Sequence, residues 1–239
     1  MPLPTDTRAP HRTKQEFVYR TIRRAILRCD MQPGERLVIE DVAQRLDVSS
    51  IPVREALQML QSEGLAVMVP HVGATVAPLS RDSILDVFTI IEGLQIVAAR
   101  VAAERGEESD LAALEGLVAD MDAAVQEGRF EDWSDLNAHF HVAIAAMTRL
   151  PMLQQMTVQA FDRWDRTRRY FFQDVLANRM QNAQRDHHVI VEALRRRAVS
   201  ELTELMRLHS GNALSAYLAH LDSRAGAPPA PALGRPSET

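Results

Sequence analysis

The tightest constraint on this chain is the absence of any strand-like alternation from Arg81 to about residue 221. Apolar residues there recur at helical spacing. The pattern predicts helices near 82–105, 107–127, 130–148, 151–173, 175–197 and 199–221. The breaks fall at Gly106-Glu107, Gly128, Leu150-Pro151, around Asp174 and at Val199-Ser200. Long amphipathic helices joined by short links can bury their apolar stripes only against each other. The expected fold is therefore mainly α, with a C-terminal all-α antiparallel bundle of six to seven helices over 80–222. The stretch SRAGAPPAPALGRPSET is rich in Pro, Ala and Gly, so 223–239 is expected to be a disordered tail.

Residues 13–79 read differently. Lys14 to Cys29 is an amphipathic helix, with Phe17, Val18, Thr21, Ile22, Ala25 and Ile26 on one face and Arg20, Arg23, Arg24 and Arg28 on the other. Pro33-Gly34 turns the chain, and VIEDVAQRLDV forms a short second helix. Ser49 or Ser50 is expected to cap a third helix reaching about Gln61, with Pro52 in its first turn, where a missing N–H costs nothing. Gly64 ends it, and LAVMVPHVGATVAPL reads as two short strands around Pro70 and Gly73. Helix, helix, tight turn, helix and hairpin is the order of a winged helix-turn-helix, whose second paired helix leads into the DNA major groove with its N-terminal residues. Serines and open N–H groups at that helix start favour phosphate, and Arg54, one turn in, can reach a guanine edge or a phosphate. Residues 1–12 are expected to be disordered.

Charge permits this reading without requiring it. The net charge of −5 is uneven: residues 1–80 carry ten basic and nine acidic side chains, the remainder 17 and 23. A near-neutral module binds DNA if its arginines share a face. The single cysteine, Cys29, excludes an intramolecular disulfide and any cysteine metal cluster. The opening MPLPTDTRAPHR lacks the apolar core of a signal peptide, and no apolar run approaches the ~18 residues of a membrane span. The expected location is cytoplasmic.

The motifs PGERL, VAQRLDVS, PVREAL, LQSEGL and PHVGATV, in this order between Pro33 and Val76, resemble the winged helix-turn-helix signature of GntR-family bacterial transcription regulators. The resemblance implies DNA contacts from Ser49, Ser50, Arg45, Arg54 and the wing residues His71, Val72 and Gly73. Where the family usually has Ser-Arg-Thr, this chain has Ser49-Ser50-Ile51, so an arginine expected at the DNA is absent. Binding then leans on Arg54, Arg45 and the wing. Gly73 sits at the wing turn, where a positive φ is expected.

Eight histidines are present, several on the predicted bundle helices. Asn137 and His141 are four apart and share a helix face, while His187 and His209 lie on two later helices. Ligands from three helices can converge inside a bundle, and imidazoles with one amide oxygen suit Zn, Ni, Fe or Mn better than Mg or Ca. The segments DVFTIIEGLQIVAARVAAERG, NAHFHVAIAAMTRLPML and DHHVIVEALRRRAVSELTELMRLH also resemble the FCD effector domain of the FadR-type branch of GntR regulators. Many members of that branch hold a divalent metal through an Asp or Asn and three His. The matching positions are Asn137, His141, His187 and His209, with His139 and His188 as bystanders. Asn in place of Asp removes a negative charge, which lowers metal affinity and favours an anionic guest.

The resemblance implies a small carboxylate effector. An arginine frequent on the first helix of this domain is replaced by Ile91, so Arg163, Arg166, Arg169 and Tyr170 become the candidate effector contacts. Trp133 and Trp164 are expected to pack in the core. The leading expectation is a dimeric, ligand-responsive transcription regulator, a repressor, on a palindromic DNA operator. The alternatives are a metal-dependent enzyme, or a sensor for which the metal itself is the signal. No nucleophile elbow or phosphate loop supports the enzyme.

Overall fold

A computed structural model of the chain describes residues 13–69, 73–171, 175 and 177–225. It divides into two compact units, each considered separately. One comprises residues up to Ser80 together with Phe161–Tyr170, and the other comprises the remainder.

The first unit begins with α1 (Lys14–Leu27), capped by Thr13, whose side chain accepts from the Glu16 N–H at 3.1 Å. Val18, Ile22 and Ile26, one turn apart, bury its inner face. The chain then makes β1 (Arg36–Leu37), α2 (Ile39–Arg45), α3 (Ser50–Ser62), β2 (Ala66–Val69) and β3 (Gly73–Val76). The strands form an antiparallel sheet in the order β1-β3-β2, with Leu37 opposite Ala74 and Val69 opposite Gly73. Strand β1 is absent from the sequence reading, because two residues are too few to show alternation. Val53, Ala56, Leu57 and Leu60 from α3 meet the α1 stripe and the sheet residues Leu65, Ala66, Ala74 and Val76 in one core. Outside it, Arg23 of α1 donates to Glu63 just past α3 at 3.0 Å, and Tyr19 donates to the same carboxylate.

The second unit contains α4 (Arg81–Arg105), α5 (Glu108–Gln126), α6 (Phe130–Met147), α8 (Ala177–Arg195), α9 (Val199–Ala225) and the first half of α7 (Pro151–Tyr170). Its core is continuous across α4, α5, α6, α8 and α9, built around Trp133, Phe140, Ile144, Met121, Ile190 and Met206. Gly106 permits the tight exit from α4. A Cβ there would lie 2.7 Å from both the Ala102 carbonyl oxygen and the Met147 methyl carbon. A reciprocal capping box between Glu107 and Asp110 starts α5 immediately afterwards.

The sequence-derived helix limits need four changes. Helix α1 stops at Leu27, before Cys29, which adopts φ 59°. Helix α2 is shorter than expected, and α7 ends at Tyr170. Helix α9 continues to Ala225, so residues 223–225 are helical rather than tail. The expected break around Asp174 and the segments 1–12 and 226–239 lie outside the described residues. Among the described residues, no helix is long and apolar enough to cross a membrane.

Candidate DNA-reading helix and metal centre

Helix α3 is held by one face and presents the other. Pro52, Val53, Ala56, Leu57 and Leu60 are buried, while Ile51, Arg54, Glu55 and Gln58 are exposed. Ser49 occupies the N-cap with extended backbone, but its side chain makes no capping hydrogen bond, contrary to the sequence reading. The first N–H groups of α3 therefore gain no side-chain acceptor from Ser49. Arg54 and Arg45 are exposed and form no ion pair among the described residues. Ile51 is 66% exposed at the helix start. Sequence reading noted Ile51 only as a departure from the family pattern. Its exposure follows from the position of the buried stripe. Gly73 opens β3 with φ 98°, a backbone state that favours glycine. His71 and Val72 lie outside the described residues.

In the helical unit, His141 of α6, His187 of α8 and His209 of α9 converge. One ring nitrogen from each lies within 4.8 Å of the others, and all three residues are buried. Ring centroids are 4.9 Å apart for His187–His209, 5.2 Å for His141–His209 and 5.5 Å for His141–His187. Asn137 is also buried, one turn before His141 on α6. His139 is exposed, and His188 is exposed and contacts Asp122 at 3.0 Å.

The surrounding hydrogen bonds fix which nitrogens are available. Gln184 donates its amide N–H groups to the Val118 carbonyl at 3.1 Å and to Asp122 at 2.8 Å. Its amide oxygen therefore points the other way, accepting from the Trp133 indole at 2.9 Å and facing His187 Nδ1 at 3.3 Å. Nδ1 of His187 must carry the proton, so Nε2 presents a bare lone pair. That Nε2 is buried and has no hydrogen-bond partner among the described residues. His209 Nδ1 lies 3.1 Å from the Asp186 carboxylate, which likewise assigns its proton to Nδ1. Burial pushes both His141 and His187 well below the ordinary imidazole range, and mutual repulsion among the histidines adds to this. Three buried imidazoles with ring nitrogens close together, and outer nitrogens of His187 and His209 facing Gln184 and Asp186, fit a transition metal. Trp133, expected to serve only packing, also orients Gln184.

The four expected effector contacts are Arg163, Arg166, Arg169 and Tyr170. They lie in the half of α7 that groups with the winged unit, whereas the histidines belong to the other unit. Arg166 is buried and donates to the Ala77 carbonyl, Arg169 pairs with Asp165 at 2.8 Å, and Arg163 and Tyr170 are exposed. Trp164 is buried, packed edge-on to Phe161 and 5.7 Å from the Arg168 guanidinium. Gln184 and Asp186 were not found from sequence. Their positions, three and one residues before His187, were the available signal.

Comparison with known proteins covers both units. Residues 14–76 match the bacterial regulatory proteins of the gntR family, and residues 86–212 match the FCD domain. The HTH-type transcriptional repressor GlaR of Escherichia coli is 30% identical over 197 residues, spanning 80% of this chain and 90% of GlaR. The HTH-type transcriptional regulator McbR of the same species is 27% identical over 165 residues, 69% of this chain and 75% of McbR. The fold is shared with the solved structure of E. coli McbR/YncC (TM-score 0.66, 23% identity, covering 90% of this chain and 99% of that one). It is also shared with Lar of Listeria monocytogenes (TM-score 0.61, 18% identity, 90% and 99%). The enzyme alternative falls with these matches, since the relatives are regulators. The chain belongs to the GntR family of bacterial regulatory proteins, in the branch that joins a winged helix-turn-helix to an FCD domain, and it is a transcription regulator.

Proposed function

We propose that this protein is a repressor that binds a pseudo-palindromic operator as a homodimer and is released by a small organic acid sensed in a metal-containing FCD domain. The observation that carries the reading is the bare, buried Nε2 of His187 facing two further imidazoles. A folding core has no reason to leave such an acceptor unsatisfied, at a cost of about 1–3 kcal/mol. Asn137, His141, His187 and His209 would hold the metal, among Zn, Ni, Mn and Fe. Such an ion supplies a Lewis-acidic centre with open positions for an acid's oxygen.

On the DNA side, Ser49, Ser50 and the open N–H groups of α3 meet phosphate. Arg54 reads a guanine edge or a phosphate, and Arg45, Gly73 and His71 flank the contact. The exposed Ile51 suits a thymine methyl, giving this chain an apolar base contact where its family commonly places a polar pair. Protein two-fold symmetry is then mirrored in the operator. The acid can regulate only through different affinities for the DNA-bound and released arrangements. GlaR, a repressor, supports the sign.

The test is fluorescence anisotropy on duplex from upstream of the protein's own gene. It is run with metal-loaded and chelator-treated protein, with and without a panel of organic acids. Metal by elemental analysis, operator affinity and its loss with one acid are expected. Affinity that follows metal alone identifies a metal sensor instead.

A further inference from the structure

One face of α4 in the helical unit is left open by the described residues. Leu85, Ile90 and Val97 are 44%, 51% and 39% exposed, and Asp86, Thr89, Gly93 and Arg100 are exposed with them. At about 100° per residue these positions share one side of the helix, opposite the buried Ile84, Phe88, Ile91, Gln95 and Ala98. Single exposed apolar side chains are ordinary, whereas a continuous stripe marks an interaction surface. Gly93 lies on the midline of this stripe. Glycine weakens a helix interior, and the chain's own packing gives no reason for it here: a Cβ at Gly93 would meet no atom within 4 Å. Gly106 differs, since a Cβ there would strike Ala102 and Met147. A glycine that no internal neighbour requires fits the close approach of a second backbone from outside.

The charges around Gly93 indicate the partner. Asp86 and Arg100 lie seven residues before and after it, within about 20° of the midline and about 10 Å away along the axis. Neither makes an ion pair or hydrogen bond among the described residues. A second α4 laid antiparallel across the first, with a two-fold axis at Gly93, brings Asp86 of each copy to Arg100 of the other. The same register sets Ile90 against Ile96 and Thr89 against Val97. Gly116 of α5 and Gly211 of α9 are equally open. The residues seven away from them, Ser109 and Ala123 or Glu204 and Leu218, form no opposite-charge pair. A nucleic acid or an anionic lipid surface would call for cations without the acid.

From the open glycine and the self-complementary charges about it, we propose that this face of α4 receives a second copy of the chain, in an antiparallel two-fold contact centred on Gly93. The inference rests on the proposed homodimer and names its interface. A two-fold contact uses the same patch on both copies, so the Asp86–Arg100 pair forms twice and a single substitution acts twice.

The experiment is sedimentation equilibrium of full-length, metal-loaded protein, giving the dimer dissociation constant for wild type, Asp86→Arg, Arg100→Asp, the double charge swap and Gly93→Leu. Each single swap sets like charges opposite each other at two places and should weaken the dimer about tenfold or more. The double swap restores opposite charges and should return to within about threefold of wild type. Gly93→Leu fills an open position with a better helix former, so the monomer should fold, while the blocked approach weakens the dimer about tenfold or more. Helical content by circular dichroism and metal content should match wild type in every variant. A dimer constant unmoved by the single swaps or by Gly93→Leu would overturn this interface and leave the dimeric regulator standing. So would a double swap that dimerises no better than the single ones. A wild-type chain that stays monomeric at every concentration and on its operator would overturn both.

Discussion

The α3 face and the histidine centre are built on opposite principles. Ser49, Ile51, Arg54 and Gln58 stand in water on a helix secured from behind, and Arg54 has no ion-pair partner among the described residues. His141, His187 and His209 are withdrawn from water, and the outer nitrogens of His187 and His209 are fixed by Gln184 and Asp186. A surface that meets a long, charged, hydrated polymer can leave its groups free, since the partner supplies the order. A centre that must hold a small ion has to be ordered beforehand, because an ion cannot organise three helices cheaply. The contrast predicts that mutations at the two places fail differently.

The largest effect is expected at the buried centre. His187→Ala should abolish stoichiometric metal in elemental analysis, and full occupancy in the variant would discard the site. One step outward, Gln184→Leu leaves all three imidazoles but frees the His187 tautomer. Metal affinity should fall about 10–100-fold by competition with a chromophoric chelator. A value within twofold of wild type would mean the tautomer is set elsewhere.

On the DNA face, Arg54→Ala should cost about 1–3 kcal/mol of operator binding in a gel shift, while the melting curve stays put. A shifted melting curve with retained binding would reverse the comparison for this residue.

The sequence made the two-part architecture readable because both parts advertise themselves by periodicity: the α1 stripe, the buried face of α3 and the long bundle helices. It also offered Asn137, His141, His187 and His209 as candidate ligands, through the resemblance to the FCD domain, since spacing alone does not separate them from His139 and His188. Gln184 and Asp186 stayed hidden, because their roles depend on what α5, α6 and α9 bring opposite them. The α7 arginines were offered as effector contacts from local composition, and composition alone does not show which unit that half of α7 joins. Which unit a helix half joins is decided by tertiary contacts such as Arg166 to Ala77. Likewise, SSIP reads as a capped start, yet Ser49 forms no cap bond.

Two smaller effects sharpen the contrast. In metal-free protein, His141 and His187 are held neutral, with pKa values well below the unfolded value of about 6.5. Below that pH the unfolded chain takes up protons that the folded chain refuses. Stability should therefore fall steadily as pH drops from about 6.5, with no contribution from these groups above it. A flat denaturation midpoint between pH 7 and pH 5 would remove burial as the governing factor. The smallest effect is expected for Ser49→Ala. With no cap bond to lose, it should change stability by under about 0.5 kcal/mol, where a working cap is worth about 1. Its operator affinity should nevertheless decline.

The most direct measurement is a competition titration of the metal-loaded protein between duplex from upstream of its own gene and a shuffled duplex of equal length and composition, at moderate ionic strength. The account predicts a preference of about 1,000-fold or more for the natural duplex, reduced by Arg54→Ala. Equal affinity for the two duplexes, in every metal and acid state tried, would contradict it.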